Sequence, residues 1–171
     1  MTVNSKHYYS VNKVKQFMFA DIEKSLKLAE NPYIGTPNFL LALGLCCYTE
    51  YWGKLIKGIA QGQSKVCFEG FFCRLGYSYK KLLDDGVNVY WDVRCGLAHS
   101  YMIEKSARIV INGGDCGIRY DPKSHYRYTF YVRRYFVDFK RAVNEYIKGL
   151  KSGSENIDLL KEALKNKPEL T

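Results

Sequence analysis

Apolar side chains recur every three to four residues through most of this chain, the spacing that one face of an α-helix produces. The pattern predicts helices over about 11–31, 37–60, 64–85, 88–99 and 135–151, and a shorter one at 155–166. The run from Phe39 to Cys47 is apolar on all sides, so the second helix should lie in the middle of the core. The sequence therefore predicts a mainly α protein, an antiparallel bundle of four to five core helices.

The hydrophobic period changes after Ser106. Residues 107–112 alternate as a strand does, the turn signal Gly113-Gly114 follows, and the stretches 117–120 and 128–132 also have strand composition. We therefore expect a small antiparallel β insertion, ordered as a meander, at about 107–132. The length suits one domain, which we place at 1–151, followed by a short C-terminal helix or tail at 152–171.

Composition excludes several classes of protein. The longest apolar run has about ten residues, whereas a membrane-spanning helix needs about 20. The first residues are polar, unlike a secretion signal. The six cysteines lack zinc-ligand spacing, so we expect reduced cysteines, no metal, no cofactor and a cytoplasmic protein. The excess of 26 basic over 17 acidic residues gives a net charge of +9 and favours a polyanionic partner.

The segment 90–101, which reads YWDVRCGLAHSY, carries the chemistry that points to a function. A histidine titrates near neutral pH, so His99 can take the proton of a ribose 2′-hydroxyl or deliver one to a leaving oxygen. Arg94 stays charged and offers a planar fork of donors to phosphate oxygens. Together the two side chains predict cleavage of RNA without a metal ion.

The spacing of Arg94 and His99 also bears on assembly. Five residues place two side chains about 140° apart around an ideal helix, so they do not share one face. A second copy across a twofold axis would supply the missing groups, which predicts a homodimer if there is catalysis. A second pair, Arg119 and His125, has similar spacing, but Pro122 places it in a loop.

Structural interpretations of the same residues stay open. Arg94 and His99 can be ordinary polar contacts of a helix end. Glu50, the only acid between Pro37 and Ala60, either holds Arg94 in place or pairs with Lys54 one turn away. The neighbours Ser100 and Tyr101 either support His99 or simply end the helix and pack.

With Arg, four residues and then His, the segment Tyr90-x-x-Val-Arg-Cys-Gly-Leu-Ala-His99 resembles the motif of the HEPN superfamily (higher eukaryotes and prokaryotes nucleotide-binding). The resemblance implies a helical bundle, dimerisation through the motif helices, and in many members a metal-independent endoribonuclease that leaves a 2′,3′-cyclic phosphate. It implies that Arg94 and His99 are the catalytic residues. Active members commonly carry Asn, Asp or His after the arginine, where this chain has Cys95, and a thiol is a poor hydrogen-bonding group.

A basic and aromatic segment at 119–134 predicts where single-stranded RNA binds, because cations grip phosphates and aromatic faces stack on bases. In the alternative interpretation its aromatic rings form a core and its charges are simply solvated. The candidate RNA-binding residues are Arg119, Lys123, Tyr126, Arg127, Tyr128, Arg133 and Arg134.

Two functions follow from these patterns. The first is a homodimeric, metal-independent endoribonuclease that uses Arg94 and His99. The second, motivated by Cys95, is a catalytically silent HEPN-like module that binds RNA or a protein partner, associated with toxin–antitoxin or defence systems. A nucleotide binder with a glycine-rich phosphate loop is not indicated, because Gly113-Gly114 reads as a turn.

Overall fold

A computed structural model describes residues 5–30, 38–100, 103 and 106–165. Within these residues the protein is mainly α with a small three-stranded sheet, which confirms the predicted fold class. A 3₁₀ turn at Cys73–Leu75 and a π-helical turn at Tyr90–Cys95 complete the helical elements. The α-helices are α1 Ser5–Ala29, α2 Asn38–Lys57, α3 Ser64–Phe72, α4 Tyr77–Asp84, α5 Gly96–Ser100, α6 Val132–Ser152 and α7 Ile157–Leu164, and the strands are β1 Ala107–Val110, β2 Ile118–Tyr120 and β3 Tyr128–Tyr131.

Helix α2 occupies the centre, as predicted, and contacts α1, α3, α5, α6, α7 and β1. Its side chains Leu45 and Trp52 are fully buried, but Phe39 and Leu40 at its start are exposed, so the first half is not buried on all sides. Helices α2 and α3 approach closely at Gly53, where a Cβ atom would lie 1.8 Å from the carbonyl oxygen of Cys67. The absence of a side chain at Gly53 is therefore what lets these two helices touch.

Two helix boundaries differ from the predictions. Helix α1 already begins at Ser5, and the single helix expected over 64–85 is divided into α3 and α4. The division falls at Gly76, whose φ of 140° lies outside helical geometry. A Cβ at this glycine would also lie 3.1 Å from a guanidinium nitrogen of Arg141, so both backbone and packing favour a break there.

The sheet is not a meander. Its strand order is β1-β3-β2, with β3 antiparallel to β2 but parallel to β1, so the expectation of an all-antiparallel insertion is wrong. Strand β3 lies in the centre of the sheet, and its inward side chains Tyr128 and Phe130 are each 1 % exposed. The backbone N–H of Arg133 donates to the carbonyl of Ile111, which ties the end of β1 to the start of α6.

Helix α6 buries the predicted stripe, which includes Phe139 and Val143, against the other helices. The described part of the C-terminal segment is the helix α7, capped by the side chain of Asn156 and packed on α2 through the buried Leu160 and Ala163. Within the described ranges, no helix has a long enough apolar stretch to cross a membrane.

Candidate functional site

The candidate catalytic residues lie on an unusual piece of backbone. Residues Tyr90–Cys95 form a π-helical turn, in which the N–H of Gly96 reaches the carbonyl of Trp91 five residues earlier, and the α-helix α5 follows directly. The sequence predicted an ordinary short α-helix here. A π-helical turn changes the direction in which side chains leave the helix, and such turns occur frequently at functional sites.

Arg94 leaves this turn toward α2 and pairs with Glu50. Its Nη2 atom lies 2.7 Å from Glu50 Oε2, and Lys54 Nζ lies 3.3 Å from Oε1 of the same carboxylate. Glu50 is 5 % exposed, so one buried carboxylate lies between two cations. Both sequence interpretations of Glu50 therefore hold at once, since it contacts Arg94 and Lys54 together.

The surroundings of Arg94 keep it charged and fixed. Burial lowers the pKa of Arg94, but the negative charge of Glu50 and the contribution of Cys47 leave that pKa above its usual value. Its guanidinium carbon lies 5.8 Å from the centre of the Tyr90 ring. In the described ranges, nothing accepts a hydrogen bond from its buried Nε–H. The Nη2 side of the Arg94 guanidinium is thus paired with Glu50, whereas its Nε–H has no acceptor among the described residues.

His99 and Ser100 lie on the exposed end of α5, so His99 is accessible to solvent rather than sealed in the core. Within the described part of the chain, no hydrogen bond or ion pair joins His99 to Arg94. Tyr101, the remaining supporting candidate, lies outside the described residues. One copy of the chain therefore presents the histidine to solvent while its arginine is mostly buried.

The cysteines near Arg94 have a structural environment. Cys95 is 8 % exposed; burial first, and then the neighbouring Cys95 thiol, raise the pKa of Tyr90. Burial also raises the pKa of Cys47, which the charge of Arg94 partly offsets. All six cysteines are free, as predicted. Cys95 therefore faces the core and leaves His99 without a polar neighbour at that position.

One buried hydrogen bond connects the motif segment with the sheet. The hydroxyl of Tyr128 on β3 donates to Asp92 Oδ2 at 2.7 Å, and the two residues are 1 % and 5 % exposed. Burial and this acidic neighbour raise the pKa of Tyr128, which keeps its hydroxyl protonated as a donor. The expectation that Tyr128 contacts RNA is not met, because its ring has no free face on which a base could stack.

Two of the predicted RNA-binding arginines are already paired. Arg133 forms an ion pair with Glu30 and donates from Nε to Asn112, and Arg134 lies 3.1 Å from the carboxylate of Asp138 in its own helix. Both lie in the first turn of α6, and Asp138 also lies 3.7 Å from Arg141, so this acid is shared by two arginines. The ion pairs leave Arg133 and Arg134 less free to bind a phosphate than an arginine without an acidic partner.

The other predicted RNA-binding residues are exposed on the sheet and the loop between β2 and β3. Arg119, Lys123, Arg127 and the ring of Tyr126 all reach solvent. Sequence reasoning missed Arg108, which lies on β1, outside the basic segment 119–134, and extends the same surface. The signal was present in the alternation of β1, where Arg108 stands between the inward-facing Ala107 and Ile109.

No cluster of three or more possible metal ligands occurs among the residues whose structure is described. Comparison of the chain with protein-family models, curated proteins and solved structures finds no match. The resemblance to HEPN proteins therefore depends on the sequence motif alone.

Proposed function

We propose that this protein is a homodimeric, metal-independent endoribonuclease of HEPN type that cleaves single-stranded RNA. The observation that supports the proposal most is the ion pair between Glu50 and Arg94, which fixes a permanently charged guanidinium one short helix away from the exposed His99. A carboxylate that orients an arginine leaves its remaining donors directed toward a phosphate.

The chemistry needs only these side chains. A histidine takes the proton of the ribose 2′-hydroxyl, whose oxygen attacks phosphorus, and the 5′-oxygen leaves with a proton supplied by a protonated histidine. The products are a 2′,3′-cyclic phosphate and a free 5′-hydroxyl. Arg94 stabilises the charge that develops on the non-bridging oxygens through the guanidinium donors that Glu50 does not occupy.

A second copy of the chain has a specific part in this proposal. Arg94 is mostly buried against α2 and His99 lies on the exposed end of α5, so the site gains both groups most directly when two motif segments meet. Trp91, in the same π-helical turn, is 53 % exposed and offers apolar area for such a contact. The partner copy thus contributes catalytic residues as well as stability.

The test is cleavage of a labelled single-stranded RNA by the purified protein in EDTA. His99→Ala should lower the rate by about 10²- to 10⁴-fold, the usual contribution of general acid–base catalysis. His125→Ala is the matched control, since this second exposed histidine follows Arg119 at similar spacing but lies in a loop. Equal rates for His99→Ala and the wild type would reject the proposal.

The alternative function is a HEPN-like module that binds RNA, or a protein partner, without turnover. The observation that favours it is the burial of Cys95 against Tyr90, because the position after the motif arginine then offers no polar group to the reaction. It predicts no cleavage by the wild type, together with a linear fall of the logarithm of RNA affinity against the logarithm of salt concentration. If RNA affinity does not change with salt, RNA binding is excluded and the module that binds a protein partner remains.

A further inference from the structure

The outer face of the sheet holds a row of arginines, of which only Arg119 has an acidic neighbour among the described residues. The register pairs Arg108 of β1 and Arg119 of β2 with the same residue of β3, Thr129, so the three side chains lie side by side. Neighbouring strands are about 4.8 Å apart, which places the two arginine backbones roughly 10 Å from each other. Arg127 contributes a third guanidinium to the same depression.

Of the described residues that line this depression, one is an acid, Asp121, which lies 4.0 Å from Arg119 Nη2. Among the residues that the structure describes, no carboxylate pairs with Arg108 or Arg127. Arg108 is instead held by Thr129, whose Oγ1 accepts from Nε at 3.3 Å, and by the Tyr126 ring, 5.6 Å from its guanidinium carbon. Like charges collected in this way repel each other unless an anion joins them.

The depression also offers groups that suit a phosphate in particular. Thr129 is 5 % exposed and uses its oxygen lone pair for Arg108, so its hydroxyl proton remains available to an acceptor. Arginine forks match the paired oxygens of a phosphate. The cavity volume is about 70 Å³, well below that of sites for whole small molecules, so the depression accommodates a phosphate group while the rest of a nucleotide lies outside.

We infer that Arg108, Arg119, Arg127 and Thr129 form a phosphate-binding site on the outer face of the sheet, separate from the Arg94 and His99 segment. The inference rests on the proposed function only for the source of the phosphate, which is the backbone of single-stranded RNA. Tyr126, 42 % exposed at the rim, is placed to contact the adjoining sugar or base. The site holds RNA and takes no part in breaking its bonds.

The experiment measures binding with the full chain carrying His99→Ala, which separates affinity from cleavage. Labelled single-stranded RNA is titrated at several salt concentrations. Arg119→Gln and Arg127→Gln should each weaken binding about tenfold and lower the slope of log affinity against log salt by about 0.7. Both side chains are exposed, so the variants should fold, and thermal unfolding checks that they do.

Two further variants make the result specific. Lys148→Gln removes the same charge from the exposed face of α6 and should change the slope much less. Asp121→Asn should tighten binding two- to threefold, because it removes the one acid while its amide oxygen still accepts from the backbone N–H of Lys123. Equal effects of Lys148→Gln and Arg119→Gln would overturn the inference, since binding would then reflect overall charge alone.

Inorganic phosphate and adenosine monophosphate are titrated in parallel. If either binds in an Arg119-dependent manner while RNA does not bind, the phosphate site stands and its assignment to RNA is wrong. If RNA binds with wild-type affinity to the Arg119 and Arg127 variants, the site is rejected, although cleavage through His99 can still be observed. Failure of the phosphate site and failure of the nuclease proposal are thus distinguishable.

Discussion

Arg94 and the arginines on the outer face of the sheet are the same residue type in opposite surroundings. Arg94 lies largely inside the protein and is neutralised by the buried Glu50, whereas Arg108 and Arg127 point to solvent without a described acidic partner. A buried cation needs a partner to offset its desolvation, and a solvated one does not. The comparison teaches that an acidic partner uses up an arginine's charge inside the protein, whereas an arginine without one keeps its charge available to an anion.

The largest expected contrast in stability is between the two acids that contact these arginines. Glu50→Gln removes the charge that balances Arg94 and should lower the free energy of unfolding by about 2–3 kcal/mol, less than for a fully buried pair because Arg94 keeps some contact with water. Asp121→Asn, at an exposed pair 4.0 Å long, should change it by less than about 0.5 kcal/mol. Urea unfolding of both variants measures the difference.

If Glu50→Gln is as stable as the wild type, the carboxylate does not hold Arg94, and the main support for the nuclease proposal is lost. A double-mutant cycle with Arg94→Gln assigns the effect to the pair. The coupling energy of Glu50 with Arg94 should exceed that of Glu50 with Lys54, because Lys54 is the more exposed cation and lies farther from the carboxylate.

Periodicity predicted the helices because an amphipathic pattern is local information, repeated several times along each element. The buried stripe of α6, with Phe136, Phe139 and Val143, follows directly from it. The strand order could not be predicted in this way, since the placement of β3 between β1 and β2 depends on contacts between distant residues. The break at Gly76 had a signal in the glycine itself, but nothing local distinguished it from glycines tolerated within helices.

Some residues of the candidate site could likewise be predicted from the sequence, and others could not. The motif predicted Arg94 and His99, and the isolated acid in an apolar helix indicated Glu50. The π-helical turn has no sequence signature, so the direction of Arg94 toward α2 became visible only in the structure. Arg108 and Thr129 were missed because their importance comes from cross-strand register, which places residues from three separate segments in one row.

The buried hydrogen bond between Tyr128 and Asp92 connects the sheet with the π-helical turn that carries Arg94. Tyr128→Phe should cost about 1.5–2 kcal/mol, because it removes a buried hydrogen bond to a charged acceptor. Tyr126→Phe, which alters a half-exposed ring at the surface, is the control and should change stability little. Denaturant unfolding and RNA affinity are measured for both variants.

The pH dependence sharpens this prediction. Burial and Asp92 raise the pKa of Tyr128 in the folded state above its value of about 10 in the unfolded chain. Its contribution should therefore be complete below pH 10 and decline above it, so the difference between wild type and Tyr128→Phe should narrow at alkaline pH. A difference that widens there would mean that the hydroxyl is not protonated as described.

The last experiment tests whether the Arg94 and His99 segment needs a second chain while the outer face of the sheet does not. A heterodimer purified with two tags, one chain carrying Arg94→Ala and the other His99→Ala, keeps one intact arginine and one intact histidine on different chains. If the site combines groups from both copies, the heterodimer should cleave RNA faster than either mutant homodimer. An inactive heterodimer would contradict the shared site.

The matching mixture of Arg119→Gln and Arg127→Gln chains should show no such recovery of RNA affinity, because the outer-face arginines act within one chain.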